Sequence, residues 1–306
     1  MLADPFAHPA LFYRGDRDYV AATTAFVAEG LDRGEPVAVA VPAAGLALIA
    51  ERLGAAAEKI SLIDMSEAGR NPGRIIPAVL SEFADRHEGE RVRIIGEPMW
   101  AGRSALEYPA CAQHEALINR AFSGRPVTIL CPYNAMTLAP EVLGEAERTH
   151  PVLRDSGGER PSAAYSPDQV VSLHNTPFGE PPAHVALRFD SANLGEARNL
   201  AADQGAAHGF TGARLDDIRL VLAELGANSL DHGGGSGLVR IWAEDGRLVF
   251  EVTDRGHITD PLVGRRPVDP RTAGSRGLLI VNLLSDLVRV HTRVGATVVR
   301  AYFDLP

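Results

Sequence analysis

A stretch rich in proline, glycine and serine, residues 154–182 (RDSGGERPSAAYSPDQVVSLHNTPFGEPP), divides the sequence into two blocks with different apolar rhythms. In the first block, short β-branched runs at 37–41, 60–63, 92–95 and 127–130 alternate with longer segments at 45–53, 74–86 and 106–122. Apolar residues in the longer segments return at three- and four-residue spacing, the period of a helix with one buried face. Continuous apolar strands alternating with helices predict βαβ units and a mostly parallel sheet covered on both faces, a three-layer α/β/α arrangement. The cleanest break falls at 176–182, which predicts a first domain at 1–175, a linker at 176–183 and a second domain at 184–306.

The second block reads differently. A strand at 184–189 leads to helices at 194–208 and 214–230, then to strands at 238–244 and 247–253 joined by Asp245-Gly246, a strong hairpin signal. A loop rich in Gly, Pro and Arg follows, then a helix at 278–284 and strands at 287–292 and 297–305. Helices gathered on one face of a mixed sheet predict a two-layer α/β sandwich.

Composition narrows the functional class. At 306 residues, 45% apolar and 23% charged, the chain has the make-up of a soluble globular protein of about two domains. A net charge of −9 and the lack of a long Lys/Arg run argue against direct nucleic-acid binding, because phosphate neutralisation needs a basic surface. Two cysteines, Cys111 and Cys131, make no disulfide framework. Residues 1–10 carry prolines, an Asp and a His and no apolar signal-peptide core, and the apolar run at 37–50 is broken by Pro42 and Gly45. The expectation is a cytoplasmic protein with no membrane partner.

Three segments of the second block make chemical sense together. Glu224 and Asn228 lie one turn apart, so both side chains share a helix face. The Asn228 carbonyl can ligate Mg²⁺, and the Glu224 carboxylate can polarise a hydroxyl; alone, the pair would read as a solvated face. Asp254-Arg255-Gly256 ends an apolar strand. There an Asp can accept the exocyclic amine of adenine while the glycine permits a tight turn, although Asp-x-Gly turns are common. Gly274-Ser275-Arg276-Gly277 directly precedes an apolar helix, where free N–H groups and the positive end of the dipole suit a phosphate.

The order of these segments resembles the Bergerat ATP-binding fold of histidine kinases, gyrases and anti-sigma-factor serine kinases. The resemblance implies an ATP site with Mg²⁺: Glu224 as catalytic base, Asn228 as metal ligand, Asp254 and Gly256 at the adenine, and Gly274, Arg276 and Gly277 at the phosphates. Ile258 stands where a second glycine often sits, and a late-strand threonine could be Thr297. Arg265, Arg266 and Arg271 lie in the lid segment, each equally readable as a solubilising charge. The runs 220–233 (LVLAELGANSLDHG) and 276–286 (RGLLIVNLLSD) look closest to the anti-sigma kinases.

In the first block, Leu11-Phe12-Tyr13-Arg14-Gly15, Gly96-Glu97-Pro98-Met99-Trp100, Tyr108 with His114-Glu115, and Leu130-Cys131-Pro132-Tyr133-Asn134 resemble the MEDS family of dichloromethane-regulator-like sensory domains. That likeness implies a RecA-like fold that senses small hydrocarbon-like ligands. No Gly-x-x-x-x-Gly-Lys-Ser/Thr motif occurs, so this block is not a P-loop NTPase. Glu97, Trp100, Cys131 and Tyr133 fall at or just past strand C-termini, where a parallel sheet opens its ligand crevice, and His114 and Glu115 lie on the intervening helix. Trp100, Cys131 and Tyr133 are equally readable as core, and His114-Glu115 before Asn119 is only half a helical zinc motif.

Together these resemblances imply an ATP-binding anti-sigma-type regulator, a Ser/Thr kinase of partner-switching antagonists, under N-terminal sensory control. Expected partners are a sigma factor, a STAS-type antagonist and a small-molecule signal, with homodimerisation left open. The alternative is a non-catalytic ATP-binding adaptor. A sensor histidine kinase fits less well, because His150, His174 and His184 lie near prolines or open a strand rather than sit on a long helix.

Overall fold

The computed structural model describes residues 4–268 and 276–306. The chain folds as two compact units, Met1–His174 and Asn175–Pro306. Among the described residues, no helix is long and apolar enough to cross a membrane.

The N-terminal unit opens with β1 (Pro9–Tyr13), α1 (Asp16–Asp32), β2 (Val37–Val41), α2 (Ala43–Leu53), β3 (Ser61–Asp64) and the single turn α3 (Met65–Ala68). It continues with α4 (Glu82–Arg86), β4 (Val92–Gly96), α5 (Tyr108–Phe122), β5 (Val127–Asn134) and α6 (Pro140–Thr149). The hairpin β6 (Val152–Asp155) and β7 (Gly158–Pro161) and the helix α7 (Pro167–Leu173) complete it. The sheet order is β3-β2-β4-β5-β1-β6-β7, parallel except for the β6–β7 hairpin. Every residue of β2 is buried. Val37, Val39 and Val41 pack with Phe26, Val27 and Ile49 of α1 and α2, while Ala38 and Ala40 turn to the opposite covered face.

Several elements of this unit depart from expectation. Helix α1 was not foreseen, because its buried stripe runs through Thr23 and Gly30, residues that read as polar or helix-breaking. Gly30 is required there: a Cβ would meet Val37 Cγ2 at 2.8 Å and Arg93 Cδ at 2.9 Å. The helix expected at 74–86 is divided into a 3-10 turn at Pro72–Arg74, a π turn at Ile76–Ser81 and α4. Pro77, at the start of the π turn, has no N–H to donate and displaces the regular ladder. Strand β5 continues past the expected 127–130 to Asn134, so Cys131 and Tyr133 lie within a buried strand rather than at its open end.

The C-terminal unit contains β8 (Val185–Asp190), α8 (Leu194–Ala207), α9 (Gly212–Asp231), β9 (Ser236–Glu244), β10 (Arg247–Asp254), α10 (Gly277–Leu284), β11 (Leu287–Arg293) and β12 (Ala296–Asp304). The strand order is β11-β12-β10-β9-β8, and every neighbouring pair is antiparallel, which corrects the expected mixed sheet. Asp245 (φ 47°) and Gly246 (φ 74°) form the β9–β10 turn with positive φ at both positions, as a type I′ hairpin requires. Ile218, Val221, Leu222 and Leu225 of α9 pack on Val239, Phe250, Val252 and Phe303 to build the core.

On β9, β10 and β12 a charged ladder runs across the strands. Glu251 is 2% exposed and receives Arg240 Nε at 2.9 Å and Arg300 Nε at 2.7 Å. The segment expected as a linker packs on it: Arg300 donates to the Gly179 carbonyl at 2.6 Å, and its guanidinium lies 4.6 Å from the Phe178 ring centre. Asn175 anchors this segment by donating to the Thr292 carbonyl (2.8 Å) and accepting the Thr292 N–H (2.9 Å), the pattern of an added strand residue. In the full chain, Asn175→Ala should therefore lower stability by about 1–3 kcal/mol, because two backbone groups lose their partner. Denaturant unfolding checks this; an unchanged midpoint would mean that the segment is a free tether.

Candidate functional site

The C-terminal unit places its motif residues around one cavity of about 940 Å³ between α9, the end of β10 and the start of α10. Asn228, Asp254, Gly256 and Gly277 line it, with Leu225, Val252, Leu262 and Val299 as its apolar wall. Asp254 is fixed at both carboxylate oxygens: Oδ2 accepts from Ser229 Oγ and Oδ1 from the Gly256 N–H, each at 2.8 Å. Each oxygen retains a lone pair for a further donor.

Glycines make this approach feasible. A Cβ on Gly233 would lie 2.5 Å from Asp254 Cγ, and one on Gly256 would lie 2.8 Å from the His232 carbonyl oxygen. A Cβ on Gly277 would meet Asn228 Nδ2 and Oδ1 at 2.9 Å and Glu224 Oε2 at 3.1 Å, so the first residue of α10 fits only as glycine. Asn228 Nδ2 is buried and makes no hydrogen bond among the described residues, which leaves a polar atom waiting for a partner. Thr297 is the cross-strand partner of Asp254, is 5% exposed and lines the same cavity.

Other expected residues lie elsewhere. Glu224 does not line this cavity, although its Oε2 would lie 3.1 Å from a Cβ on Gly277, beside Asn228. Gly274 and Arg271 lie outside the described residues, whereas Arg276 is the exposed residue preceding α10. Arg265 is buried, and Arg266 lines the cavity and pairs with Asp260 at 3.3 Å. At Ile258 no glycine is needed: its φ is not positive, and its N–H donates to Thr292 Oγ1 at 2.9 Å. Sequence reasoning missed Ser229, Gly233 and Gly264. Gly264 (φ 74°) lies against Leu278, and its carbonyl accepts Asn282 Nδ2 at 3.0 Å, which docks the base of the lid on α10.

The five residues expected to form a sensory pocket separate into distinct settings. Glu97, 6% exposed, accepts a hydrogen bond from Tyr19 Oη at 3.0 Å. Trp100 stacks on Arg103, whose guanidinium carbon lies 3.9 Å from the ring centre. His114, Cys131 and Tyr133 are all buried, and the cavity beside Tyr133 measures about 10 Å³, far below the size of a small organic ligand.

Comparison with known proteins follows the same division. The family described as "MEthanogen/methylotroph, DcmR Sensory domain" (MEDS) matches residues 7–151, and the "Histidine kinase-like ATPase domain" matches residues 187–303. The chain is a MEDS domain followed by a histidine kinase-like ATPase domain. The serine-protein kinase RsbW of Halalkalibacterium halodurans is 31% identical over 108 residues, covering 31% of this chain and 66% of the relative, just under two thirds of its length. Among solved structures, the RsbU and RsbW domains of Rv1364c from Mycobacterium tuberculosis align with 20% identity and a TM-score of 0.31, over 41% of this chain and 33% of that one.

Glu97 in the MEDS domain yields a pH test. Burial pushes its carboxyl from 4.5 up to about 7, against the hydrogen bonds from Tyr19 and Tyr13. A raised carboxyl favours the neutral folded form, so its stabilising contribution is complete below pH 4.5 and is lost as pH rises through about 7. Glu97→Gln keeps an acceptor for Tyr19 and removes the titration. Between pH 5 and 8 the wild type should lose stability relative to this variant, read as diverging melting temperatures; parallel curves would mean that the carboxylate is solvated.

Proposed function

We propose that the histidine kinase-like domain binds ATP with Mg²⁺ and that the chain acts as an anti-sigma-factor-type regulator. The observation that carries the reading is the convergence of Asn228, Asp254 and Gly277, from three separate elements, on one cavity. The residues fit the group: the unpartnered Asn228 Nδ2 can donate to a phosphate, its Oδ1 can face a metal, and Gly277 puts no Cβ at the start of α10. Bound there, Mg·ATP supplies a transferable phosphoryl group.

In this reading Asp254 accepts the adenine amine while Ser229 and Gly256 hold its carboxylate in place. Leu225, Val252, Leu262 and Val299 exclude water from the base, Asn228 ligates the metal, and the N–H groups at the start of α10 face the phosphates. Arg276, just before α10, extends that phosphate end. The cellular reading is Ser/Thr phosphorylation of a STAS-type antagonist and capture of a sigma factor in the cytoplasm, under control of a signal received by the MEDS domain. The relative RsbW, a serine-protein kinase, supports it.

A second reading, an adaptor that uses the nucleotide only to set its conformation, is favoured by the absence of Glu224 from the residues lining the described cavity. One set of variants separates the two. Asp254→Asn should weaken ATP binding by about 1–3 kcal/mol in calorimetry, as a buried amine loses its charged acceptor. Glu224→Ala should leave affinity intact yet lower radiolabelled transfer to antagonist proteins by about 10²–10⁴-fold if it is the base. Asn228→Ala should lose both. Full transfer by Glu224→Ala refutes the base assignment, and ATP binding without transfer in any form selects the adaptor.

A further inference from the structure

We infer that the N-terminal unit contains a closed four-ligand zinc site formed by His8, Glu115, Cys131 and His150. Nothing in the ATP-site reading bears on it, since it lies wholly within the MEDS domain. The four ligand atoms all fall within 4.8 Å of one another, and all four residues are buried. Three contacts define the centre: Cys131 Sγ to His8 Nε2 at 3.4 Å, His8 Nε2 to Glu115 Oε2 at 3.5 Å, and His150 Nε2 to Glu115 Oε2 at 3.0 Å. A tetrahedral ion with Zn–N and Zn–O bonds of about 2.0–2.1 Å and a Zn–S bond of about 2.3 Å requires ligand–ligand edges of about 3.3–3.6 Å. The three contacts lie near those edges, and no pair of ligand atoms is more than 4.8 Å apart.

Proton placement strengthens the case. His150 Nδ1 lies 2.8 Å from the Ala146 carbonyl oxygen, which can only accept, so Nδ1 carries the proton. In the neutral ring its Nε2 then turns a lone pair towards the Glu115 carboxylate. The same holds for His8. Asn119 Nδ2 donates to the Thr149 carbonyl at 2.8 Å and the Ala116 carbonyl at 3.2 Å, which turns Asn119 Oδ1 towards His8 Nδ1 at 3.2 Å. His8 Nδ1 is thus the donor, and its Nε2 also faces the centre as a lone pair.

Two imidazole lone pairs and a carboxylate oxygen converging in a dry interior repel one another unless a cation lies between them. The polar contacts of Glu115 Oε2 and His150 Nε2 are to one another and to His8, within the cluster itself. The rival occupant is a proton, which would make one histidine an imidazolium. Measured zinc stoichiometry separates the two occupants, because a proton leaves no metal in the protein.

A divalent zinc suits the charge as well as the geometry. With two neutral imidazoles, one carboxylate and one thiolate, Zn²⁺ gives a centre of zero net charge, the form that burial penalises least. Loading displaces one proton from the Cys131 sulfur to solvent and breaks no other bond. The hydrogen bonds at both Nδ1 atoms are the second shell that fixes ring orientation in metal–histidine sites. The ligands come from the residue before β1, from α5, from β5 and from the end of α6, so the ion would tie the centre of the sheet to the helices on one side.

The test uses the full chain, purified without chelator, with elemental analysis for zinc before and after incubation with Zn²⁺. The expected result is about one equivalent, and the cobalt-loaded protein should show the intense visible bands of a tetrahedral site with a thiolate-to-metal charge-transfer band. Cys131→Ser should abolish that band. Asn119→Ala, which frees the His8 ring, should weaken zinc by about 10–100-fold. Folding of each variant is checked by circular dichroism, and a variant that does not fold leaves the wild-type stoichiometry and cobalt spectrum to decide. Well under a tenth of an equivalent of zinc in the wild type after incubation, or an unchanged charge-transfer band in folded Cys131→Ser, overturns the site.

Discussion

The hydrogen bond from Ser229 to Asp254 is the contact around which the C-terminal unit is arranged. It joins the last turn of α9 to the last residue of β10 at 2.8 Å, and so fixes where helix layer and sheet layer separate. Everything at the cavity follows from that junction. Gly233 must lack a side chain because Asp254 occupies its Cβ position, and Gly256 must lack one because the His232 carbonyl lies there. Thr297 is carried in from β12 by its register with Asp254. A carboxylate held at both oxygens by its own fold is pre-organised, so it recognises a donor without first having to be ordered.

The two units handle buried polarity in different ways. In the C-terminal sheet, Glu251 is flanked by Arg240 and Arg300, opposite charges placed side by side by cross-strand register. Each charge has a partner of the other sign, and residues 175–180 close over the group. In the N-terminal unit, three lone-pair-bearing groups meet a thiol with no cationic side chain among them. The first arrangement balances its charge with its own side chains, whereas the second does so with an added cation. The same rule, that buried polar groups must be paired, gives a structural ladder in one unit and a ligand site in the other.

The meeting of motif residues at the C-terminal cavity was largely legible in the sequence because they sit in short motifs at fixed offsets from strand and helix ends. Asn228, Asp254, Gly256 and Gly277 are brought together as their order implied. Thr297 was harder to place, since its link to Asp254 is a strand register rather than a sequence spacing. Glu224 shares the face of Asn228 as the helical period requires, and both side chains reach the Gly277 Cβ position, yet only Asn228 lines the cavity. The N-terminal cluster was not legible. His8, Glu115, Cys131 and His150 are far apart in sequence, and no local pattern links them; only half of the familiar helical zinc spacing was present.

By itself the sequence determined the two-block division, the parallel first sheet, the hairpin at Asp245-Gly246 and most strands of both units, because these follow from apolar period and turn chemistry. It could not fix α1, whose inward stripe includes Thr23 and Gly30, or the break at Pro77, where the chain keeps a helical path by changing its hydrogen-bond spacing. Tertiary structure alone decided the antiparallel order of the second sheet, the packing of residues 175–180 on its charged ladder, and the meeting of His8 with Glu115, Cys131 and His150. The physical reason is common to all three. Periodicity and turns act over a few residues, whereas register, layer order and the convergence of buried polar groups are set by contacts between segments that no local preference relates.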